Sequence, residues 1–76
     1  MNEIVWLRYF SNNLQYLMME AGYTQKDLAR ATKMSEATIS NYIHGKRIPT
    51  IKAIINIAYV LNIEYDELID FGEMIS

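Results

Sequence analysis

The chain has 76 residues, room for one domain whose core is only just sufficient to hold it. Its apolar fraction of 51% and charged fraction of 21% suit a folded globule and exclude a disordered tail. With no cysteine, disulfide staples, thiolate metal sites and cysteine nucleophiles are all excluded.

Residues 1–10 carry Ile4, Val5, Trp6, Leu7, Tyr9 and Phe10. They form an N-terminal extension with two possible arrangements: a backward continuation of the next helix, or an arm folded over the core. Trp6 and Leu7 suit simple burial in the core, the preferred reading, and are also candidates for a self-association surface, since large exposed apolar groups mark contacts. From Ser11 to Ala21, the spacing of Leu14, Leu17 and Met18 predicts a helix with one inward face, and Gly22 suits its end. Thr24 is a good N-cap, with Asp27 three residues on in a near version of the capping box. Leu28 and Ala31, with Ala29 beside them, give the second helix its apolar face. Lys33 and Met34 break the period, and Ser35 caps a third helix on which Ile39 and Ile43 repeat at i, i+4 with Tyr42 on their side. Gly45 falls where a left-handed C-terminal residue is wanted, and Pro49 prevents continuation.

Thr50 caps a fourth helix reaching Leu61, with Ile51, Ile54, Ile55, Ala58 and Leu61 as its apolar stripe and Asn62 as terminator. A fifth, short helix is expected from about Tyr65 to Phe71, with Leu68 closing the core. Ile69, Phe71, Met74 and Ile75 exceed what a small core needs; they suit either a dimer surface or a cover over one subunit's core. The expected architecture is all-α, a compact bundle of about five short helices in a single domain over residues 1–76. No apolar run approaches a membrane span, and the start MNEIVWLRYF lacks a small-residue cleavage site. A cytoplasmic protein without a membrane partner is expected.

Two short helices joined by a tight turn, residues 24–44, form the DNA-binding helix-turn-helix pattern. A net charge of −2 argues against nucleic acid until its distribution is considered. Residues 24–52 hold Lys26, Arg30, Lys33, Lys46, Arg47 and Lys52 against only Asp27 and Glu36, whereas five acids and no cation lie beyond residue 52. With a Debye length of about 8 Å at physiological salt, the local excess matters more than the total.

The stretch TQKDLARATKMSEATISNYIHGKRIPT closely resembles the helix-turn-helix of the Xre/Cro-repressor (lambda-repressor-like) family of bacterial and phage regulators. Gln25, Leu28, Ala29, Ser35, Ile39 and the HGKRIP run carry the likeness. It continues through Ile54, Ala58, Leu61 and NIEYDELI, and covers roughly residues 10 to 71. Four positions depart from the pattern. Met18 and Ile43 are apolar where the family often pairs an arginine with a glutamate, an exchange that can be neutral or stabilising. Lys33 replaces the turn glycine, at a cost on the order of 1 kcal/mol if its backbone is left-handed; its ammonium suits either a phosphate or plain solvent. Glu64 stands where a serine cap is preferred, which softens the start of the last helix.

In such a motif the N-terminal residues of the second helix meet base edges in the major groove. Here these are Glu36, Ala37 and Thr38, with Asn41 one turn on. Asn41 suits bidentate pairing with adenine, Glu36 a cytosine amine, and Ala37 or Thr38 a thymine methyl. Glu36 has a second reading, a helix-start carboxylate favoured by the dipole. Thr24 and Gln25 offer a helix N-terminus to a phosphate, and the resemblance implies that Gln25 also braces the reading helix. Ser40 suits base or phosphate, while His44, Lys46 and Arg47 follow the helix along the adjacent strand; Lys46 and Arg47 equally suit an ordinary solvated loop. No triad, paired-carboxylate site or Gly-rich phosphate loop is present, and a lone histidine does not make a zinc site. No enzyme activity, cofactor or metal is expected. The expected function is sequence-specific binding of double-stranded DNA by a transcriptional regulator, a repressor acting as a homodimer on a palindromic operator. The alternative is an antitoxin or other protein-interaction module, with a protein partner and DNA binding secondary or absent.

Overall fold

The computed structural model describes residues 2–69. Among them five helices follow in order: α1 (Glu3–Ala21), α2 (Gln25–Thr32), α3 (Glu36–Ile43), α4 (Ile51–Leu61) and α5 (Tyr65–Ile69). The first helix starts at Glu3, not at Ser11, so the N-terminal residues continue α1 backwards and no separate arm forms. Asn2 caps it, its Oδ1 accepting from the Val5 N–H at 2.9 Å. No breaker lies between Glu3 and Phe10, and continuing the helix sets Trp6 one turn from Phe10. Their rings stack with centroids 5.3 Å apart, and Phe10 meets Tyr42 edge-on at 6.5 Å, both favoured ring geometries. Trp6 and Leu7 are half-buried against the core, so neither is the open apolar surface offered by the sequence.

Helix starts and stops follow directly from the residues at the ends. Thr24, Ser35 and Thr50 each accept the third backbone N–H of their helix, at 3.1, 3.0 and 3.0 Å. At α2 the box is complete, with the Thr24 N–H donating to Asp27 Oδ2 at 3.0 Å. Four helices end alike. Gly22, Lys33, Gly45 and Asn62 adopt left-handed backbone, with φ of 74°, 62°, 66° and 59°. The next N–H in each case reaches back five residues: Tyr23 to Met18, Met34 to Ala29, Lys46 to Asn41 and Ile63 to Ala58, at 2.8–3.1 Å. This is the Schellman closure, which satisfies carbonyls that a helix end leaves orphaned.

Every helix supplies at least one fully buried side chain: Phe10 and Leu14 from α1, Leu28 from α2, Ile39 from α3, Ile57 from α4 and Leu68 from α5. Each contributes about 1.5–3 kcal/mol by leaving water. Two expected faces are corrected. On α2 the inward residues are Leu28, Ala29 and Thr32, and Ala31 is exposed; Ala29 and Thr32 flank Leu28 where α2 packs on α3 and α4. On α4 the inward set is Ala53, Ile54, Ile57, Ala58 and Leu61. Ile51 and Ile55, expected inside, are 77% and 55% exposed and align with the exposed Tyr59. α4 is apolar on nearly all sides, so its spacing alone admits two faces; packing against α1, α2 and α5 selects the one with the small Ala53 and Ala58.

Polar side chains lock the remaining helix ends. The Ser11 hydroxyl and Gln15 Nε2 both donate to the Ile43 carbonyl at the end of α3, the latter at 2.8 Å. Asn56 Nδ2 donates to the last carbonyl of α2, Thr32, at 2.9 Å. Asn13 Nδ2 holds α5 through the Glu67 and Leu68 carbonyls at 2.9 and 2.8 Å. Met18 and Ile43, both apolar, line one hollow between α1 and the end of α3. Phe71, Met74 and Ile75 lie outside the described residues, and Ile69 is half-buried. No helix among the described residues is long and apolar enough to cross a membrane.

Candidate nucleic-acid interface

α3 has two sides with opposite chemistry. Ile39 and Tyr42 are buried, and at 100° per residue the opposite side carries Ala37, Ser40, Asn41 and His44, with Glu36 and Thr38 at its flanks. Glu36 and Ala37 are exposed, while Thr38, Ser40 and Asn41 are half-buried. Ser35 closes the start of the helix twice. Its Oγ accepts from the Thr38 N–H and donates to Thr38 Oγ1 at 2.9 Å. The Thr38 hydroxyl is thus partly engaged, which leaves its methyl as the contact it presents most simply to a base.

Gln25, at the first position of α2, donates from Nε2 to the Glu36 carbonyl at 3.3 Å. This ties the start of α2 to the start of α3. The Thr24–Asp27 capping box satisfies the N–H groups of Thr24 and Asp27; by helix geometry those of Gln25 and Lys26 stay free for an anion. Thr24 also holds the Asp27 carboxyl below its ordinary value, through its backbone N–H first and its side chain second, with Arg30 adding attraction.

The far end of α3 carries the backbone candidates. His44 Nδ1 lies 2.8 Å from the Ser40 carbonyl and 3.2 Å from Ser40 Oγ. A carbonyl only accepts, so Nδ1 carries the proton and Nε2 is left for other partners, donating to a phosphate only when the ring is charged. The two residues expected at phosphate are therefore joined to each other. Beyond them, the Schellman turn makes a difference among the four helix ends. At α1, α2 and α4 the residue after the left-handed position is apolar and packs on the core: Tyr23, Met34 and Ile63. At α3 it is Lys46, which is exposed, as is Arg47. The turn that elsewhere returns the chain to the core here delivers two cations to solvent just after the end of α3. Gly45 is favoured there, because its φ of 66° would strain a Cβ; the 3.5 Å that a Cβ would keep from Ser11 Cβ is ordinary contact.

The sequence reading did not find the hollow lined by Lys26, Arg30 and Lys33; the signal was their spacing of four and three residues along α2. Among the described residues no group of three or more acidic or histidine side chains is placed to hold a metal ion.

A braced helix pair of this form, with one free face and cations at its end, defines the class of DNA-binding regulatory domains. A helix-turn-helix family model matches residues 14–68, most of the chain, and the protein belongs to the Xre/lambda-repressor-like helix-turn-helix family of DNA-binding transcription regulators. Comparison with curated proteins gives no match.

Proposed function

We propose that the protein is a sequence-specific repressor that binds a palindromic operator as a homodimer. Glu36, Ala37, Thr38 and Asn41 read base edges in the major groove; Thr24, Gln25, Ser40, His44, Lys46 and Arg47 hold the sugar-phosphate backbone. The observation that carries this reading is the two-sidedness of α3. One side is fixed in the core by Ile39 and Tyr42, and the other bears short or polar groups that admit a duplex. Bracing from Gln25, Ser11 and Gln15 at its two ends supports a rigid reader, which lowers the ordering cost of binding. With eight residues, α3 is about 12 Å long and spans few base pairs, so useful specificity calls for two copies on half-sites about 34 Å apart.

Selection from a random duplex library, with light scattering of the recovered complex, tests this. Enrichment of an inverted repeat bound by two chains is expected; enrichment of no sequence would overturn the reading. A second reading, an antitoxin-like module neutralising a protein partner, is supported by the exposed row Ile51, Ile55 and Tyr59 on α4. Stoichiometric co-purification of a second protein, with no preferred duplex, would favour it.

A further inference from the structure

Between α2 and the first residue of α3 lies an open hollow of about 510 Å³, lined by Lys26, Ala29, Arg30, Lys33, Met34 and Glu36. We propose that this hollow seats a backbone phosphate of duplex DNA, beyond the backbone contacts assigned above. The proposal rests on the DNA-binding reading.

Three observations carry it. First, Lys26 and Arg30 are one turn apart on the outer side of α2, and Lys33 follows Arg30 by three residues at the left-handed end of the helix. Three cations thus border one concavity, opposed there by the Glu36 carboxylate alone. The other nearby acid, Asp27, is already engaged by the Thr24 N–H. Such a site suits a compact polyoxyanion, which arginine grips with its fork and lysine as a point charge.

Second, the hollow is contiguous with the reading face. Glu36 forms its wall and is also the first residue of α3. The major groove is about 12 Å wide, so a duplex that admits the start of α3 brings a bordering strand next to this wall. Third, the lining argues against an acidic protein as occupant. Ala29 is only 4% exposed and Met34 is half-buried. The hollow therefore lacks the aromatic or aliphatic anchor that a protein interface centres on.

The test is the salt dependence of binding to a fixed, mixed-sequence duplex, followed by fluorescence anisotropy. Wild type is compared with Lys26→Gln/Arg30→Gln/Lys33→Gln and with Lys46→Gln/Arg47→Gln, each shown to fold by thermal melting. Arg30→Gln alone serves if the triple variant melts. Each phosphate contact contributes about 0.9 to the slope of log affinity against log salt. The triple variant is expected to lower that slope by about 1, with its affinity deficit widening as salt is reduced. A wild-type slope in the triple variant, alongside a lowered slope in the Lys46/Arg47 variant, would overturn this proposal while leaving DNA binding intact. Absence of any wild-type binding would overturn both.

Discussion

Lys33 holds φ 62° and ψ 24° at the end of α2, a conformation in which a Cβ crowds the following carbonyl. That crowding costs roughly 1–2 kcal/mol. Replacing Lys33 by glycine removes it but gives the unfolded chain more freedom, returning about 0.4–1 kcal/mol. The hydrogen bonds of the turn, Lys33 N–H to Arg30 and Met34 N–H to Ala29, are between backbone groups and survive the change. Lys33→Gly is therefore expected to stabilise the domain by about 0.5–1 kcal/mol, a rise in Tm of about 2–8 °C for this size, measured by circular dichroism. Asn62 provides the control. It closes α4 in the same way at φ 59°, but asparagine tolerates this region, so Asn62→Gly should gain less. An unchanged or lower Tm for Lys33→Gly, beside a clear rise for Asn62→Gly, would refute the reasoning. The same Lys33→Gly protein should bind duplex DNA more weakly at low salt, separating its stability from its affinity.

Three further outcomes are expected. Asn56→Ala leaves the Thr32 carbonyl without its side-chain donor and should cost about 1–3 kcal/mol in urea unfolding. Leu68→Ala empties the contact that closes the bundle, where Leu68 is fully buried, and should cost about 2–5 kcal/mol by the same assay. For Asp27, the folded carboxyl lies below its ordinary value of 3.8, chiefly through the Thr24 backbone N–H. Its stabilising effect is complete above that ordinary value and is lost as pH falls through the lowered one. The stability difference between wild type and Asp27→Asn, followed by thermal melting from neutral pH downwards, should therefore shrink in the acid range.

The fold was legible where a single residue decides a local event. Thr24, Ser35 and Thr50 mark helix starts because their side-chain oxygens reach only the N–H groups of the next turn. Gly22, Gly45 and Asn62 mark ends because few residues accept a left-handed backbone, and the interruption at Lys33 fell in the right place although its residue type opposed it. The faces of α4 were not legible, because Ile51 and Ile55 are as apolar as Ile54 and Ile57 and only distant helices choose between them. The course of residues 1–10 was undecided for a related reason: Phe10 is fixed by Tyr42, thirty-two residues on. On α3, the placement of Ala37 and Asn41 away from the buried Ile39 and Tyr42, with Glu36 at the flank, follows from the helical period. The pairing of Ser40 with His44, and of Thr38 with Ser35, depends on side-chain rotamers that residue spacing does not specify. The cationic hollow escaped because charge was counted along the chain, whereas what gathers its three side chains is a concavity between α2 and the start of α3.

The most direct test of base reading by α3 compares wild type with Asn41→Ala on the duplex recovered by selection and on copies carrying each single base-pair change. Asn41 is half-buried on the free face of α3, and its amide suits a bidentate pair with adenine. The variant is expected to lose about 1–3 kcal/mol on the preferred duplex and to become indifferent to the base at one position in each half-site, with the salt slope unchanged. Equal affinity and undiminished discrimination at every position would contradict base reading through Asn41 on this face of α3.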